Sequence, residues 1–471
     1  MSQQKYEIGL VGLGVIGRNL MLNMADHGYA VAGFDKDPAK VKSLAAESAG
    51  RNIRGTKNIE EYLNLLKSPR SIIMLIPAGP PVDDVIRDLL PYLKADDILI
   101  DCGNSHFTDT NLRQKTLTRA GIRLLGVGVS GGEHGARHGP SIMPGGQPEA
   151  YERVRPLFEA VAARVREEPC VAYLGPGSAG HFVKMVHNGI EYGLMELIAE
   201  TYDLMKRGMG LNDDELAEIY ERWNEHIFHS YLLEITGHIF RHVDEKTGKR
   251  LIDVILDEAR QMGTGKWTSQ TAMDLQVPVP VVDAAVSTRD ISGYRAEREA
   301  ASRALTGSSV AFQGKREIFI GRLERALQAA FIITYAQGMA ILRKASDTYG
   351  YNLNLADVAR IWRGGCIIRA AVLEDIRASY QNSPNLPNLF MDPRLGKQVV
   401  VCQHDLRRIV CSAANLGIPA SGMMAALAYF DSYRSAWMPT SLIQAQRDYF
   451  GAHTYERVDE KGVFHTKWEE A

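Results

Sequence analysis

The sequence is poor in cysteine, and its cysteines are not spaced for pairing. Only five occur in 471 residues, and no two form a Cys-x-x-Cys pair. Secreted domains that depend on disulfides need an even set of cysteines, and structural zinc modules need closely spaced ones. We therefore expect neither a disulfide framework nor a metal site, but reduced thiols in a cytoplasmic protein.

Long apolar runs and an excess of charge of one sign are also missing. No apolar stretch reaches the roughly 18 residues that a membrane-spanning helix needs, and the N-terminus has no signal-peptide pattern. The net charge is −2, from 54 Lys and Arg against 56 Asp and Glu. A nearly neutral balance argues against a general nucleic-acid binder, so we expect partners other than membranes and nucleic acids.

The first 177 residues alternate short β-type runs with helical stretches. Val15–His27 predicts a helix. The predicted strands are Tyr6–Val11, Ala30–Asp35, Ser71–Ile76, Ile98–Asp101, Ile122–Val129 and Val171–Leu174. Alternation of this kind predicts a parallel sheet with helices on both faces. The fold class is therefore α/β and Rossmann-type over residues 1–177.

Residues 178–440 differ in character, because long amphipathic helical segments replace the β-type runs. They predict a large all-α domain. An offset of 142 residues aligns Ile190–Trp223 with Ile332–Gly365, which predicts an internal duplication, although two helical segments can also match by chance. Residues 441–471 are polar and aromatic and predict a tail with little core of its own.

A glycine-rich turn lies between the first strand and the first helix. It reads Gly12, Leu13, Gly14, Val15, Ile16 and Gly17. In a dinucleotide site the first glycine permits the tight turn, the second admits the pyrophosphate, and the third lets the helix pack on the strand. The motif alone is weak evidence, but its flanking strand and helix and the acidic end of the second strand make a dinucleotide site the better interpretation.

The acidic residue at that strand end is Asp35, 18 positions after Gly17. A carboxylate there accepts hydrogen bonds from ribose hydroxyls and repels a 2′-phosphate, so Asp35 favours NAD. Lys36 complicates this prediction, because a neighbouring cation could contact a 2′-phosphate. An ordinary surface lysine is the alternative.

A stripe of polar side chains follows Ser178, which we predict to be a helix N-cap. Its members are three or four residues apart and share one helix face: Lys184, His187, Asn188 and Glu191. A solvated surface is the simpler explanation. However, the aligned second copy is apolar at all four positions, with Ala326, Ala329, Ala330 and Ile333. A desolvated lysine and a nearby glutamate suit proton transfer, and clustered metal ligands are lacking.

Two loops at the carboxyl ends of predicted strands are expected to complete the pocket. Asn104 follows one strand and can donate and accept hydrogen bonds. Ser130, Gly131 and Gly132 follow another, and their backbone N–H groups could bind a carboxylate. Both segments are also typical turn sequences, so each is weak evidence alone.

With these residues, the chain resembles decarboxylating 6-phosphogluconate dehydrogenases across essentially its full length. The matching stretches are residues 126–133, 139–146, 183–192, 263–267 and 444–453. The resemblance implies a Rossmann-type domain, a duplicated helical domain, and a C-terminal tail that reaches into the partner of a homodimer. It implies oxidation and decarboxylation of a sugar-acid phosphate with NAD or NADP, and no metal.

The resemblance also implies roles for individual residues. Lys184 would be the base and later the acid, Glu191 the acid that protonates the product, with Asn104 and His187 beside them. The substrate-binding residues would be Asn104, Ser130, Gly131, Gly132, His187, Asn188, Tyr192, Thr264 and Arg289, with Arg447 and His453 supplied by the partner. The cofactor would contact Gly12 to Gly17, Asp35, Lys36, Ile76, Pro77, Ala78 and Asn104.

Three departures from the family pattern bear on specificity. Met262 stands where the family usually has a phosphate-binding lysine. Asp35-Lys36-Asp37 replaces the Asn-Arg-Ser/Thr of NADP-type members, and residues 76–79 read Ile-Pro-Ala-Gly instead of Val-Lys-Ala-Gly. The family habit thus favours NADP while Asp35 favours NAD. A C6 sulfonate or an unphosphorylated sugar acid is an alternative substrate, and a cofactor-binding regulator without turnover is a remote alternative function.

Overall fold

The structure is a computed structural model that describes residues 5–305, 307 and 311–468. Its N-terminal part is built on a seven-stranded sheet with the order β3-β2-β1-β4-β5-β6-β7. The strands are β1 (Ile8–Val11), β2 (Val31–Phe34), β3 (Ile53–Thr56), β4 (Ser71–Met74), β5 (Ile98–Asp101), β6 (Arg123–Ser130) and β7 (Ser141–Gly146). Strands β1 to β6 pair in parallel, and β7 runs antiparallel to β6.

Helices cover both faces of this sheet, as predicted. They are α1 (Val15–Asp26), α2 (Pro38–Glu47), α3 (Ile59–Leu65), α4 (Pro80–Leu89), α5 (Phe107–Arg119), α6 (Gly132–His138) and α7 (Pro148–Val161). Successive strand residues enter opposite cores: Ile98 and Ile100 pack into one, and Leu99 packs into the other. Burial on both faces explains why the central strands are continuous apolar runs.

Two features of the predicted sheet are wrong. Val171–Leu174 is not a strand, since only Val171 forms an isolated bridge, to Ile142. The sheet is mixed rather than purely parallel, because β7 is an antiparallel edge strand that the sequence did not reveal. A short hairpin of β8 (Arg164–Val165) and β9 (Glu168–Pro169) follows α7.

The C-terminal part is helical and has its own large hydrophobic core. Its helices are α8 (Ala179–Asp203), α9 (Asp213–Trp223), α10 (Tyr231–Arg241), α11 (Thr264–Asp274), α12 (Pro280–Ser292), α13 (Arg295–Ala304), α14 (Arg316–Tyr349), α15 (Leu355–Ile361), α16 (Val372–Asn382), α17 (Pro393–Leu416), α18 (Ser421–Tyr433) and α19 (Thr440–Gly451). Two π-helical turns, Leu204–Gly208 and Asn224–Phe228, follow α8 and α9. Among the described residues, no helix combines the length and apolarity needed to cross a membrane.

The aligned copies of the predicted duplication have the same local structure. In each copy a long buried helix, α8 or α14, is followed by a loop and a short helix. The short helices start at equivalent caps: the Asn212 side chain accepts from the Glu215 N–H, and the Asn354 side chain accepts from Ala356 and Asp357. Asn212 and Asn354, which are 142 residues apart, therefore occupy the same capping position at the starts of α9 and α15.

The tail has more internal order than the sequence predicted. The buried Asp448 carboxylate accepts hydrogen bonds from the backbone N–H groups of Thr454 and Thr466 and from the Trp468 indole, at 2.9–3.0 Å, and pairs with His465 at 2.9 Å. Although burial opposes it, these contacts hold the pKa of Asp448 below its usual range. The tail is thus folded around one carboxylate rather than around an apolar core.

Candidate active site

The glycine-rich turn has the shape that a dinucleotide pyrophosphate requires. A Cβ on Gly12, where φ is +99°, would lie 2.3 Å from the Leu75 carbonyl oxygen, and one on Gly17 would lie 1.9 Å from the Gly12 carbonyl. A Cβ on Gly14 would meet no atom within 4 Å. The first and third glycines thus allow tight packing, and the second leaves open space at the start of α1. The residues present fit the predicted cofactor.

Asp35 lies at the end of β2 beside this turn. One of its carboxylate oxygens accepts from the Leu13 N–H at 2.9 Å, and the same oxygen is 3.4 Å from the Lys40 ammonium. Lys36 is an exposed side chain paired with Asp88 at 2.7 Å. The carboxylate is therefore fixed against the pyrophosphate turn, whereas Lys36 is bound on the outer surface.

The other predicted cofactor residues flank the same end of the sheet. Ile76, Pro77 and Ala78 follow β4, the neighbour of β1, and lead into Gly79 at the start of α4. Val15 begins α1 and is 46% exposed, and Ile16 packs against the core under the sheet. The structure thus brings the predicted cofactor residues to the carboxyl ends of β1, β2 and β4.

The predicted polar stripe lies on α8, which is buried and not a solvated face. The Asn188 side-chain oxygen accepts from the Lys184 ammonium at 2.8 Å and from His187 Nδ1 at 3.0 Å. The amide nitrogen of Asn188 donates to the Thr264 hydroxyl at 3.2 Å. Since Nδ1 of His187 carries the proton, its Nε2 accepts from the Ser130 hydroxyl at 3.2 Å. Four predicted site residues from three elements are therefore joined to Lys184.

Burial adjusts the proton affinity of the stripe. It lowers the pKa of Lys184, an effect that the nearby Glu191 carboxylate partly opposes. Burial raises the pKa of Glu191, which lies 3.8 Å from His187. The pKa of His187 is held well below its usual value by burial and by the charge of Lys184. Burial therefore shifts the pKa of a lysine and of a carboxyl group on the same face of α8 toward their neutral forms.

Helix α8 lies directly against the sheet because glycines face it. A Cβ on Gly128 of β6 would lie 2.3 Å from the Cβ of Lys184. The stem of Lys184 thus packs on a strand position without a side chain, and Lys184 lines a small cavity beside α11. The cavity is lined by Asn104, Ser105, His181, Lys184, Met185, Thr264 and Trp267.

The predicted backbone site at the end of β6 also lies near the stripe. Ser130 ends the strand, and Gly131 and Gly132 adopt positive φ values of +114° and +61° as α6 begins. Gly131 packs against the Gly365 carbonyl, whereas a Cβ on Gly132 would meet open space. The turn therefore presents an accessible backbone beside the Ser130 hydroxyl.

A second group of predicted residues is Tyr192, which directly follows Glu191 on α8, and Arg289 on α12. The Arg289 guanidinium on α12 stacks over the Tyr192 ring at 3.6 Å, and its Nη2 is 3.6 Å from the Met195 sulfur. A stacked guanidinium still carries N–H donors at its edge, which suit anion binding. Met262, which precedes α11, is 90% exposed.

Arg447 and His453 are not joined to these residues within the chain. Arg447 donates to Gln444 at 3.0 Å, and the His453 ring lies edge-on to Phe450 at 6.0 Å, so both contacts stay inside the tail. The outer side of the tail helix is apolar and exposed, with Leu442 at 63% and Phe450 at 72%. The two residues therefore remain candidates for a site on another subunit.

Sequence reasoning missed several residues that support the site. Asp101, Ser105, Arg113 and His181 form buried hydrogen bonds beneath Asn104 and α8, and Trp267 lines the cavity. His181 could have been found, since it lies one turn before Lys184 on the same helix face. Ser178 occupies the N-cap position, but its hydroxyl bonds to the Tyr351 hydroxyl at 2.8 Å and does not cap the helix.

Metal ligands are not grouped in this part of the molecule. Among the residues that the structure describes, no three His, Cys, Asp or Glu side chains lie close enough to bind an ion. The five cysteines are free, and only Cys411 is exposed.

Comparison with known proteins identifies the family. The NAD binding domain of 6-phosphogluconate dehydrogenase matches residues 7–175, and the C-terminal domain of 6-phosphogluconate dehydrogenase matches residues 180–468. The chain belongs to the 6-phosphogluconate dehydrogenase family. The two matched regions meet at the loop that precedes α8, which carries the polar stripe.

Relatives in this family match the whole chain. An NADP(+)-dependent, decarboxylating 6-phosphogluconate dehydrogenase of Bacillus subtilis is 49% identical over 98% of this chain and 99% of its own length. The decarboxylating enzyme of Synechococcus elongatus is 48% identical with the same coverage. The Plasmodium falciparum 6-phosphogluconate dehydrogenase, solved with NADP+ and with 6-phosphogluconate, has a TM-score of 0.94 and 41% identity over 98% of this chain and 100% of that one.

Proposed function

We propose that this protein oxidises and decarboxylates 6-phospho-D-gluconate to ribulose 5-phosphate and carbon dioxide. The observation that carries the proposal is the buried lysine on α8, 2.8 Å from Asn188, with Glu191 on the same face. Membership of the 6-phosphogluconate dehydrogenase family supports the same activity. Burial of Lys184 beside Glu191, whose pKa is raised, favours a proton-transfer site over a surface lysine. A regulatory protein without turnover would not require such a pair.

A bound dinucleotide would supply the acceptor for a hydride from C3 of the sugar acid. Lys184, in its unprotonated form, takes the proton from the C3 hydroxyl. As an ammonium ion it then gives this proton to the new C3 carbonyl oxygen while the C1–C2 bond breaks. C1 leaves as carbon dioxide, and the electron pair of the broken bond forms the C2=C3 double bond of an enol. Glu191 protonates the former C2, which becomes C1 of ribulose 5-phosphate, and the enol hydroxyl returns its proton to Lys184. The lowered pKa of Lys184 and the raised pKa of Glu191 suit these two tasks.

The remaining site residues bind and orient the substrate in this proposal. Asn104, His187 and Asn188 contact the sugar hydroxyls, and Ser130, Gly131 and Gly132 hold the carboxylate through hydroxyl and backbone N–H groups. Tyr192, Thr264 and Arg289 hold the C6 phosphate. The position of Arg289 over the Tyr192 ring supports this assignment, because a guanidinium matches phosphate oxygens.

For the cofactor, we propose that NAD is preferred although NADP is also used. Asp35 is held against the pyrophosphate turn by the Leu13 N–H, where a carboxylate suits ribose hydroxyls. Lys36 is paired with Asp88, and Lys40 only partly offsets the charge of Asp35. Steady-state comparison of NAD with NADP tests this preference, and a more than tenfold advantage for NADP would reject it.

The second candidate substrate is a sugar acid whose C6 carries a sulfonate or a hydroxyl instead of a phosphate. Met262 is exposed at the start of α11, where the family usually has a phosphate-binding lysine. Comparing kcat/KM on 6-phosphogluconate, 6-sulfogluconate and gluconate separates the two. A large preference for the phosphate supports the first proposal, and a preference for the sulfonate or gluconate supports the second.

We further propose a homodimer with exchanged tails. Arg447 and His453 lie on a tail whose outer face is apolar and exposed, and a symmetric dimer would let each tail complete the other site. We assign residues 1–177 to cofactor binding, 178–440 to the helical substrate and dimerisation domain, and 441–471 to the exchanged tail. Five free thiols support a reducing compartment such as the cytoplasm.

The direct experiment measures the reaction in both of its products. The purified protein is given 6-phosphogluconate and either dinucleotide, and reduced cofactor and carbon dioxide are followed together. We expect the two to form in equal amounts. Reduction of the cofactor without carbon dioxide would show a simple dehydrogenase and would contradict the proposal.

A further inference from the structure

Arg113, on α5, is a buried cation for which the proposed mechanism has no use. Only 6% of it is exposed. Its Nε and Nη2 atoms donate to the Asp83 carboxylate at 2.7 and 2.9 Å, and Nη2 also donates to the Gly79 carbonyl at 3.0 Å. Its Nη1 donates to the Ser105 hydroxyl at 3.2 Å and lies 3.6 Å from Asp101. A buried guanidinium with this many partners is held in one position.

Two of these partners, Gly79 and Ser105, lie in separate loops of the site. Gly79 ends the segment 76–79 after β4, which carries the predicted cofactor contacts. Ser105 directly follows Asn104 in the loop after β5, which carries a predicted substrate contact. Since β4 and β5 are neighbouring parallel strands, Arg113 joins the two loops across their carboxyl ends.

The network continues from Arg113 to the helix of the catalytic lysine. The Asp101 carboxylate accepts from Ser105 at 2.6 Å and from the Gly103 N–H at 3.0 Å. The Asp101 carbonyl accepts from His181 Nε2 at 2.9 Å, so Nδ1 of His181 accepts from the Thr110 hydroxyl at 2.6 Å. His181 lies one turn before Lys184. A rigid link thus runs from the 76–79 loop through Asp101 to α8.

We propose that Arg113 is a positioning residue that sets the spacing between the cofactor loop at 76–79 and the Asn104 loop. This inference rests on the proposed function, because the spacing matters only if a dinucleotide and a sugar acid react across it. Arg113 acts through Gly79 and Ser105 and contacts neither ligand. Its loss leaves both loops without their shared donor, and binding at both loops weakens.

The test compares Arg113→Met and Arg113→Lys with Arg119→Met, which changes an exposed arginine at the end of the same helix. The dissociation constant of the dinucleotide is measured by protein fluorescence without substrate, and kcat and KM are measured per active site. We expect Arg113→Met to weaken dinucleotide binding about tenfold, the size of one lost charge-assisted hydrogen bond, and to raise the substrate KM. Arg113→Lys should recover part of the loss, and Arg119→Met should match the wild type.

Should Arg113→Met fail to fold, Asp83→Asn is the second variant, since it weakens the same clamp from the half-exposed partner. The proposal is overturned if the folded variants bind the dinucleotide and the substrate as the wild type does and lose only thermal stability. Failure of the proposed function is a different result, in which the wild type binds the dinucleotide but releases no carbon dioxide from 6-phosphogluconate. The binding measurement still tests Arg113 in that case.

Discussion

The surroundings of Lys184 shift its pKa, and this pKa should determine how kcat/KM depends on pH. It is 6% exposed, and burial lowers its pKa below the usual 10.5 while the charge of Glu191 raises it. Because the proposed mechanism needs the unprotonated amine, kcat/KM should increase as pH rises through this lowered pKa. His187 adds no charge nearby, since its own pKa is held well below the normal value.

Replacing Glu191 tests this electrostatic coupling. In Glu191→Gln the negative charge that favours the ammonium form of Lys184 is gone, so the acidic limb of the kcat/KM profile should move to lower pH, and kcat should fall because the proton donor is lost. Full pH profiles of both proteins provide the comparison. An acidic limb that stays in place or moves to higher pH would show that Lys184 does not set it.

Met262 offers a gain-of-function prediction. It is exposed next to Thr264 and Gly263, so a lysine at this position has room to reach a C6 phosphate. We expect Met262→Lys to lower the KM for 6-phosphogluconate about tenfold, which corresponds to one charge-assisted hydrogen bond. The KM for gluconate serves as the internal control and should not change. An equal effect on both substrates would assign residue 262 no role in phosphate binding.

The sequence predicted the shared helix face of the polar stripe but not the hydrogen bonds among its members. The spacing of Lys184, His187 and Glu191 predicted a shared helix face, and the apolar second copy predicted that this face was special. The central position of Asn188, which bonds to three of its neighbours, depends on side-chain rotamers and on the approach of α11. Helix spacing carries no information on either.

At the scale of elements, the approach of α8 to the sheet decides where Lys184 lies. Gly128 leaves no side chain between β6 and the helix, and a Cβ there would overlap the Lys184 stem at 2.3 Å. Gly128→Ala should therefore push α8 outward, cost about 1–3 kcal/mol of stability as overpacking does, and lower kcat. Urea unfolding and steady-state kinetics measure the two effects.

Gly321→Ala is the matched control for that substitution. Gly321 lies in α14, and the nearest atom to an added Cβ is the end of the Arg325 side chain at 3.7 Å. Alanine should stabilise this helix by up to about 1 kcal/mol and leave kcat unchanged. If Gly128→Ala behaved like Gly321→Ala, close packing of α8 on β6 would not control the position of Lys184.

Sequence reasoning missed two strands of the seven-stranded sheet, β7 and β3, and the reason can be given for each. β7 contains Pro144 and two glycines, which argue against a strand, but it is an edge strand, where proline is tolerated. β3 is also at an edge and includes an exposed arginine, Arg54. Val171–Leu174 is apolar enough for a strand, yet only Val171 finds a pairing partner. Local pattern thus identified the buried central strands and not the edges.

At the scale of the whole molecule, the tail is the basis of the proposed homodimer. If Arg447 and His453 complete a partner's site, a subunit with Lys184→Met and a subunit with Arg447→Ala can restore each other. In a mixed dimer the second subunit keeps its lysine and receives an intact tail. Random pairing should recover about a quarter of wild-type activity, since half of the dimers gain one complete site.

Co-expression of the two variants with different affinity tags allows the mixed dimer to be isolated. Each variant alone should be nearly inactive. A mixed dimer without activity would place Arg447 in the site of its own subunit, and full activity of Arg447→Ala alone would place it outside any site. A monomer in solution would contradict tail exchange altogether.

Lys184→Met offers the most direct measurement of the proposed chemistry. With 6-phosphogluconate labelled at C1, the wild-type protein should release one carbon dioxide for each dinucleotide reduced. Lys184→Met should still bind the dinucleotide, because its cofactor loops are intact, but it should release carbon dioxide at least about a thousandfold more slowly, as expected when a base and its electrostatic role are both removed. Turnover of the variant at the wild-type rate would contradict the assignment of Lys184 as the base.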